Sequence, residues 1–240
     1  MTKLKRNIKI VTIKIVTRLF SESKWYKLAI LMTNLSRFFI PFRSKKKSKG
    51  FFKAQHLNSF LALMTREQKY FHIPYNLNGL EYLTADCGII LCSVHVPLVK
   101  VTLRGLIDNR IELTAAVVGV PPAINQMSVW GITNKVPIIA KNSFSLLKAK
   151  TVLQNKGNLV LMIDDGKTGE YSPNIMKLCG KLDAKIVFFF AELNAQNVVE
   201  SYLIEAPFPR CRTAEEINQN LIFLRKKHDE ILENYRKATI

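Results

Sequence analysis

The sequence predicts an α/β fold with a mixed, largely parallel central sheet flanked by helices, preceded by a helical N-terminal segment. Three observations carry this. Short apolar runs of strand length alternate with amphipathic segments from about residue 54 onward. Several of those runs, such as CGIILCSV and AKIVFFFAEL, are apolar on both faces, as strands of a parallel sheet must be. The last 28 residues carry a helix-start signature followed by a long apolar seam.

The elements follow in order. Residues 1–20 mix Ile and Val with Lys. Their apolar positions do not gather on one helical face, and the β-branched run disfavours a helix. In KWYKLAILMTNLSRFFIPF, Trp25, Leu28, Met32, Leu35 and Phe39 recur at 3–4 spacing and predict a helix ended by Pro41. RSKKKSKG reads as a basic linker closed by Gly50. Leu57, Phe60, Leu61 and Met64 mark a helix, FHIPYNLNGLEYL a short strand and turn, and CGIILCSV a buried strand. From Pro97 to about Leu106 the chain reads as helix. IELTAAVVGV is a strand closed by Pro121 and Pro122, KVPIIAK a short strand, and SFSLLKAKTVLQNKG a helix ended by Gly157. NLVLMID is a buried strand. Ile175, Leu178, Cys179 and Leu182 mark a helix, followed by the strands AKIVFFFAEL and VVESYLIEA. Thr213 with Glu216 three residues later forms a capping box. Ile217, Leu221, Leu224, His228, Ile231 and Tyr235 then share one helical face, which makes His228 a core or boundary residue. No internal repeat is visible.

Charge divides the chain into residues 1–53, a basic amphipathic segment, and residues 54–240, the α/β domain. The chain has a formal charge of +18, and fifteen Lys and Arg against the single acid Glu22 fall in residues 1–53. An anionic partner is therefore expected at the N-terminal segment. Basic residues around Trp25 and Tyr26, a wide apolar face and a second basic cluster suit a helix lying in an anionic lipid interface. The aromatics sit on the apolar face rather than interleaved with the basic residues, so a nucleic-acid partner is not expected. No run of about 18 uncharged apolar residues predicts a span, and no signal peptide is expected. Cys87, Cys92, Cys179 and Cys211 form no CxxC and have no zinc-like histidine spacing. They read as free thiols in a reducing compartment, with no metal expected.

In α/β sheets, ligands and catalytic groups gather at the carboxyl ends of strands. Three such ends carry polar groups: His95 after CGIILCSV, Lys141 after VPIIA, and Asp164 with Asp165 and Gly166 after NLVLMI. Pro97 suits a first helical turn, which sets His95 near the start of a helix. There a neutral imidazole can take a proton from a hydroxyl, and unpaired N–H groups can stabilise an oxyanion. G-x-S-x-G, P-loop, G-x-G-x-x-G and H-E-x-x-H motifs are absent.

FHIPYNLNGLEYLTADCGIILCSVHVPLVK resembles the active-site segment of the bacterial lipid A biosynthesis (lauroyl/myristoyl) acyltransferases, within the lysophospholipid acyltransferase superfamily. Gly79, Glu81 and Leu83 match a G-x-E-x-L segment. Gly88 to His95 match the strand that ends on the catalytic histidine of an H-x4-D/E motif. LLKAKTVLQNKGNLVLMIDDGKTGEY and IMKLCGKLDAKIVFFFAEL continue the likeness, which covers roughly residues 70–238. Four positions depart from the pattern. Lys100 stands at the motif's acidic position and Lys141 where an arginine is usual. Phe188 or Phe189 replaces a proline, and no tryptophan follows Tyr235.

The resemblance implies a glycerolipid acyltransferase-like fold on the cytoplasmic face of the inner membrane, held peripherally by the N-terminal segment. It implies transfer of an acyl group from an acyl carrier protein or CoA thioester to a lipid hydroxyl, lipid A-like or lysophospholipid, with no metal or other cofactor. His95 would be the base, with Asp164 or Asp165 supplying through space the carboxylate that Lys100 lacks. Lys100, Arg104, Lys141, Gly166 and Lys167 would bind substrate. The alternative is a catalytically silent relative that binds lipid or a partner enzyme.

Overall fold

In a computed structural model, the structure describes residues 11, 13–39, 49–65, 69–117, 126–128, 135–140, 142–164 and 170–237. Residues 13–19 are helical (α1), followed by α2 (Glu22–Phe39) and α3 (Lys49–Met64). Then come β1 (Tyr75–Asn78), a 3-10 turn (Leu80–Leu83), β2 (Ile89–Ser93), α4 (Val99–Asp108), β3 (Leu113–Val117), β4 (Gln126–Ser128) and β5 (Lys135–Ala140). The chain continues through α5 (Ser145–Gln154), β6 (Asn158–Met162), α6 (Asn174–Leu182), β7 (Lys185–Leu193), β8 (Val199–Glu205) and α7 (Ala214–Lys237).

The strand order is β1-β8-β7-β2-β6-β3-β5-β4. β7, β2, β6, β3 and β5 run parallel to one another. β8 is antiparallel to β7, and the three-residue β4 is antiparallel to β5 at the far edge. The fold is therefore α/β, with a mostly parallel mixed sheet flanked by helices. β2 lies at the centre and all five of its residues are buried. Its continuous run of Ile89, Ile90, Leu91 and Cys92 is what a strand covered on both faces requires. In β7, Phe188, Phe189 and Phe190 are fully buried, and Phe188 stacks on Phe223 of α7 with ring centroids 5.9 Å apart.

The β2-to-β3 and β5-to-β6 crossovers run in opposite senses along the sheet. Right-handed connection therefore sets α4 and α5 on opposite faces. α4 packs on β7, β8 and β1, whereas α5 packs on β6, β5 and β3 and touches α6. Two glycines of the sequence motif have steric reasons. Gly79 has φ +87° beside the Leu203 carbonyl, and a Cβ on Gly88 would strike the backbone of Leu153 in α5. The predicted capping box is present. Thr213 Oγ1 accepts from the Glu216 amide at 3.2 Å, and Glu216 accepts from the Thr213 amide at 2.9 Å.

The N-terminal region differs from expectation in three ways. Residues 13–19 are helical despite their β-branched content, because Ile13 and Val16 are buried together and packing overrides propensity. The expected boundary at residue 53 falls inside α3, whose Gly50 abuts the backbone of Tyr235 in α7 rather than closing a linker. The docked face of α2 is Trp25, Tyr26, Ala29 and Thr33, while Leu31 and Leu35 are exposed. Trp25 packs on Phe71 at 5.6 Å, and the Tyr26 hydroxyl donates to the Asn197 carbonyl at 2.6 Å. Among the described residues no helix is long and apolar enough to cross a membrane.

Candidate functional site

β2 and β6 are adjacent, parallel and in register, with Ser93 opposite Met162. The Ile163 amide donates to the Ser93 carbonyl at 3.0 Å, which extends the pairing one step past the strands. His95 and Asp164, each two residues beyond its strand, therefore leave the sheet side by side. Asp164 Oδ1 lies 2.8 Å from His95 Nδ1 and also accepts the His95 backbone N–H at 2.9 Å. The Asp164 side chain is only 6% exposed, whereas that of His95 is 54% exposed. A carboxylate only accepts, so Nδ1 carries the proton and the neutral ring keeps its lone pair on Nε2.

The turn beyond His95 is anchored from outside the sheet. Leu98 adopts φ +67°, a strained conformation for a buried leucine, and its amide donates to Asn58 Oδ1 of α3 at 2.9 Å. This contact links the N-terminal helices to the His95 loop. On the other side, Asp164 pairs in an isolated antiparallel bridge with Tyr171, and the Ser172 amide donates to the Ile163 carbonyl at 2.9 Å.

Tyr171 leads to a second histidine. Its hydroxyl lies 2.7 Å from His228 Nδ1, and the Arg225 guanidinium sits over its ring at 5.3 Å. Burial, with help from the Asp164 and Asp229 charges, pushes the Tyr171 phenol up to about 12. Burial holds the His228 imidazole below its ordinary value, although Asp164 and Asp229 pull the other way. Near neutral pH the phenol keeps its proton and donates it to a neutral imidazole. His228 thus occupies the core boundary read from the helical seam. Its bond to Tyr171 joins residues 57 apart and left no sequence signal. Asn58 likewise gave no sign, being one of several polar residues on α3.

The other sequence candidates separate. Arg104, expected to touch substrate, is instead structural. Its side chain is fully buried, Nη1 donates to the Phe71 carbonyl at 2.7 Å, and Nε reaches Asp108 at 3.4 Å. The helix that starts after His95 turns Arg104 inward, where it ties α4 to the chain before β1. Lys100 lies in the first turn of α4, half-buried, and burial lowers its pKa. Lys141, Asp165, Gly166 and Lys167 lie outside the described residues. Among the described residues no cluster of His, Cys, Asp and Glu is arranged to hold a metal.

The arrangement is a hydrogen-bonded imidazole–carboxylate pair on the carboxyl edge of a parallel sheet, able to take a proton from a hydroxyl brought to Nε2. No protein-family model matches this chain, and no curated protein matches it.

Proposed function

We propose that the protein is a peripheral membrane acyltransferase. It would move an acyl group from an acyl carrier protein or CoA thioester to the hydroxyl of a lipid acceptor, lipid A-like or a lysophospholipid, at the cytoplasmic face of the inner membrane. The observation that carries this reading is the His95–Asp164 pair, with a buried carboxylate on Nδ1 of an imidazole whose side chain is more than half exposed. The sequence resemblance suggests the chemistry, and the geometry supports it at the position where the motif departs. The motif's acid is replaced by Lys100, but Asp164 on the neighbouring strand end holds the imidazole as that acid would.

In the proposed reaction Nε2 takes the acceptor's proton as the oxygen attacks the thioester carbonyl. The C–O bond forms, and the tetrahedral intermediate then expels the thiolate as the C–S bond breaks. The imidazolium returns the proton to sulfur. Asp164 stabilises the imidazolium and fixes the tautomer, a role that needs no proton transfer of its own. The glycerolipid acyltransferase-like identity of the sheet and the lipid-facing role of the N-terminal helices belong to the same proposal. The exposed Val11, Ile15, Leu19, Leu31 and Leu35 support the second.

The main support of the silent-relative alternative is Lys100, and the Asp164 contact to His95 favours the catalytic reading over it. The test is lipid mass spectrometry of the purified protein incubated with acyl thioesters and lipid acceptors. Transfer that falls by roughly 10²-fold or more in His95→Ala supports the assignment. Transfer unchanged in that variant sinks the mechanism, and no transfer by the unsubstituted protein to any lipid acceptor favours the silent reading.

A further inference from the structure

Apolar side chains crowd the surface just after β5. Phe144, Leu146 and Leu147 are three large apolar residues within four positions, exposed by 64%, 64% and 59%. They are not part of the helix's packing, because α5 turns Ala149 and Leu153 inward instead. The Phe144 amide is held by Asn142 Oδ1 at 2.9 Å and Ser145 Oγ donates to the Asn142 carbonyl at 2.8 Å, so the projection is built by the backbone of this turn. Lys148 and Lys150 beside it are exposed. From residue 135 to residue 163 the chain contains five lysines and no acid.

The position of this projection matters as much as its composition. β5 runs parallel to β2 and β6, so the turn after β5 opens at the same edge of the sheet as His95 and Asp164. Two strands separate β5 from β2, which puts the projection about 14 Å along that edge from the His95 strand. On the other flank α2, with its exposed Leu31 and Leu35, is tied by Tyr26 to the turn after β7, one strand from β2.

We propose that Phe144, Leu146 and Leu147 insert into the interfacial region of an anionic lipid bilayer, with Lys148 and Lys150 against its headgroups. This makes a lipid contact separate from residues 1–53 and turns the His95–Asp164 edge of the sheet toward the membrane. Apolar side chains flanked by two exposed lysines match such an interface chemically: the chains enter the acyl boundary and the ammonium groups meet the anionic surface. The inference rests on the membrane-surface part of the proposed function and not on catalysis.

The test is flotation of the full chain with vesicles of phosphatidylcholine alone or with phosphatidylglycerol added. Substituting Phe144, Leu146 and Leu147 together by serine should lower the partition coefficient at least tenfold. Because the three side chains are exposed, thermal unfolding should be unchanged. Lys148→Gln with Lys150→Gln should weaken binding to the anionic vesicles only, by roughly fivefold per lysine. Phe144→Trp should become quenchable by acyl chains carrying bromine. Triple-serine protein that partitions like the unsubstituted chain overturns the proposal. So does a triple variant that loses self-association in solution while keeping its vesicle affinity, which would make the patch a contact between two copies. His95→Ala should float normally. If that variant also keeps its transferase activity, the catalytic reading fails while the bilayer contact stands, and the reverse pattern separates them equally well.

Discussion

Two histidines lie within the electrostatic reach of Asp164, and they are built in opposite ways. His95 is bonded to the carboxylate itself, while its ring stays more than half exposed. His228 is bonded to a neutral phenol and lies half-buried on α7 against the Tyr171 segment, where burial disfavours its charged form. The first arrangement sets a carboxylate on one ring nitrogen and leaves more than half of the side chain exposed. The second stabilises the neutral ring and opposes protonation. Being near a carboxylate does not make a histidine a base. What matters is which atom the ring touches, and whether its other nitrogen is reachable.

The comparison breaks most easily at its strong side. His95→Ala should reduce acyl transfer by roughly 10²- to 10⁴-fold, whereas His228→Gln should retain it. If both substitutions abolish transfer with folding intact, the division between the two histidines is wrong. Asp164→Asn comes next. An amide can offer an N–H to Nδ1 and hold the wrong tautomer, so kcat should fall by roughly 10²-fold or more with little change in donor KM. A kinetic split with KM alone affected would mean that Asp164 binds substrate instead.

The weaker side is sharpened by stability measurements. Removing the phenol hydroxyl in Tyr171→Phe should cost about 0.5–1.5 kcal/mol, the net value of one hydrogen bond, read as a shift in the urea midpoint. The smallest effect is the pH dependence from His228. Its folded pKa is depressed, so the unfolded chain binds the proton first as pH falls. Its contribution to stability is complete above the ordinary imidazole pKa and declines as pH drops below it. His228→Gln should flatten the loss of stability between about pH 7.5 and 5.5. An identical loss in both proteins would remove His228 as a source.

Most of the sheet could be read from the sequence because each parallel strand announces itself locally. Ile89 to Ser93 and Lys185 to Leu193 are apolar runs each bordered by a helix signal on one side, and the residues that follow them mark the carboxyl edge. The three-residue β4 had no such signal, since pairing with β5 rather than composition defines it. His95 and Asp164 were visible as polar ends of apolar strands. Their contact depended on β2 and β6 being neighbours, which is a property of strand order and not of spacing along the chain. Arg104 was misread for the complementary reason. A guanidinium next to a candidate site suggests a bound anion, but only the packing of α4 shows that its partners include the Phe71 carbonyl and Asp108 of its own helix. In α2 the apolar stripe was found and its docked side was not, because Trp25 and Ala29 turn inward together while Leu31 and Leu35 do not.

The bond from the Leu98 amide to Asn58 gives the molecule a built-in gauge. That amide belongs to the loop that carries His95, yet its acceptor belongs to α3. Its proton can exchange with solvent only when α3 lifts away from the loop or the whole domain opens. Hydrogen exchange at this single position therefore reads how tightly the N-terminal helices grip the domain. Comparing the rate with and without vesicles would report whether a bilayer tightens that grip or loosens it.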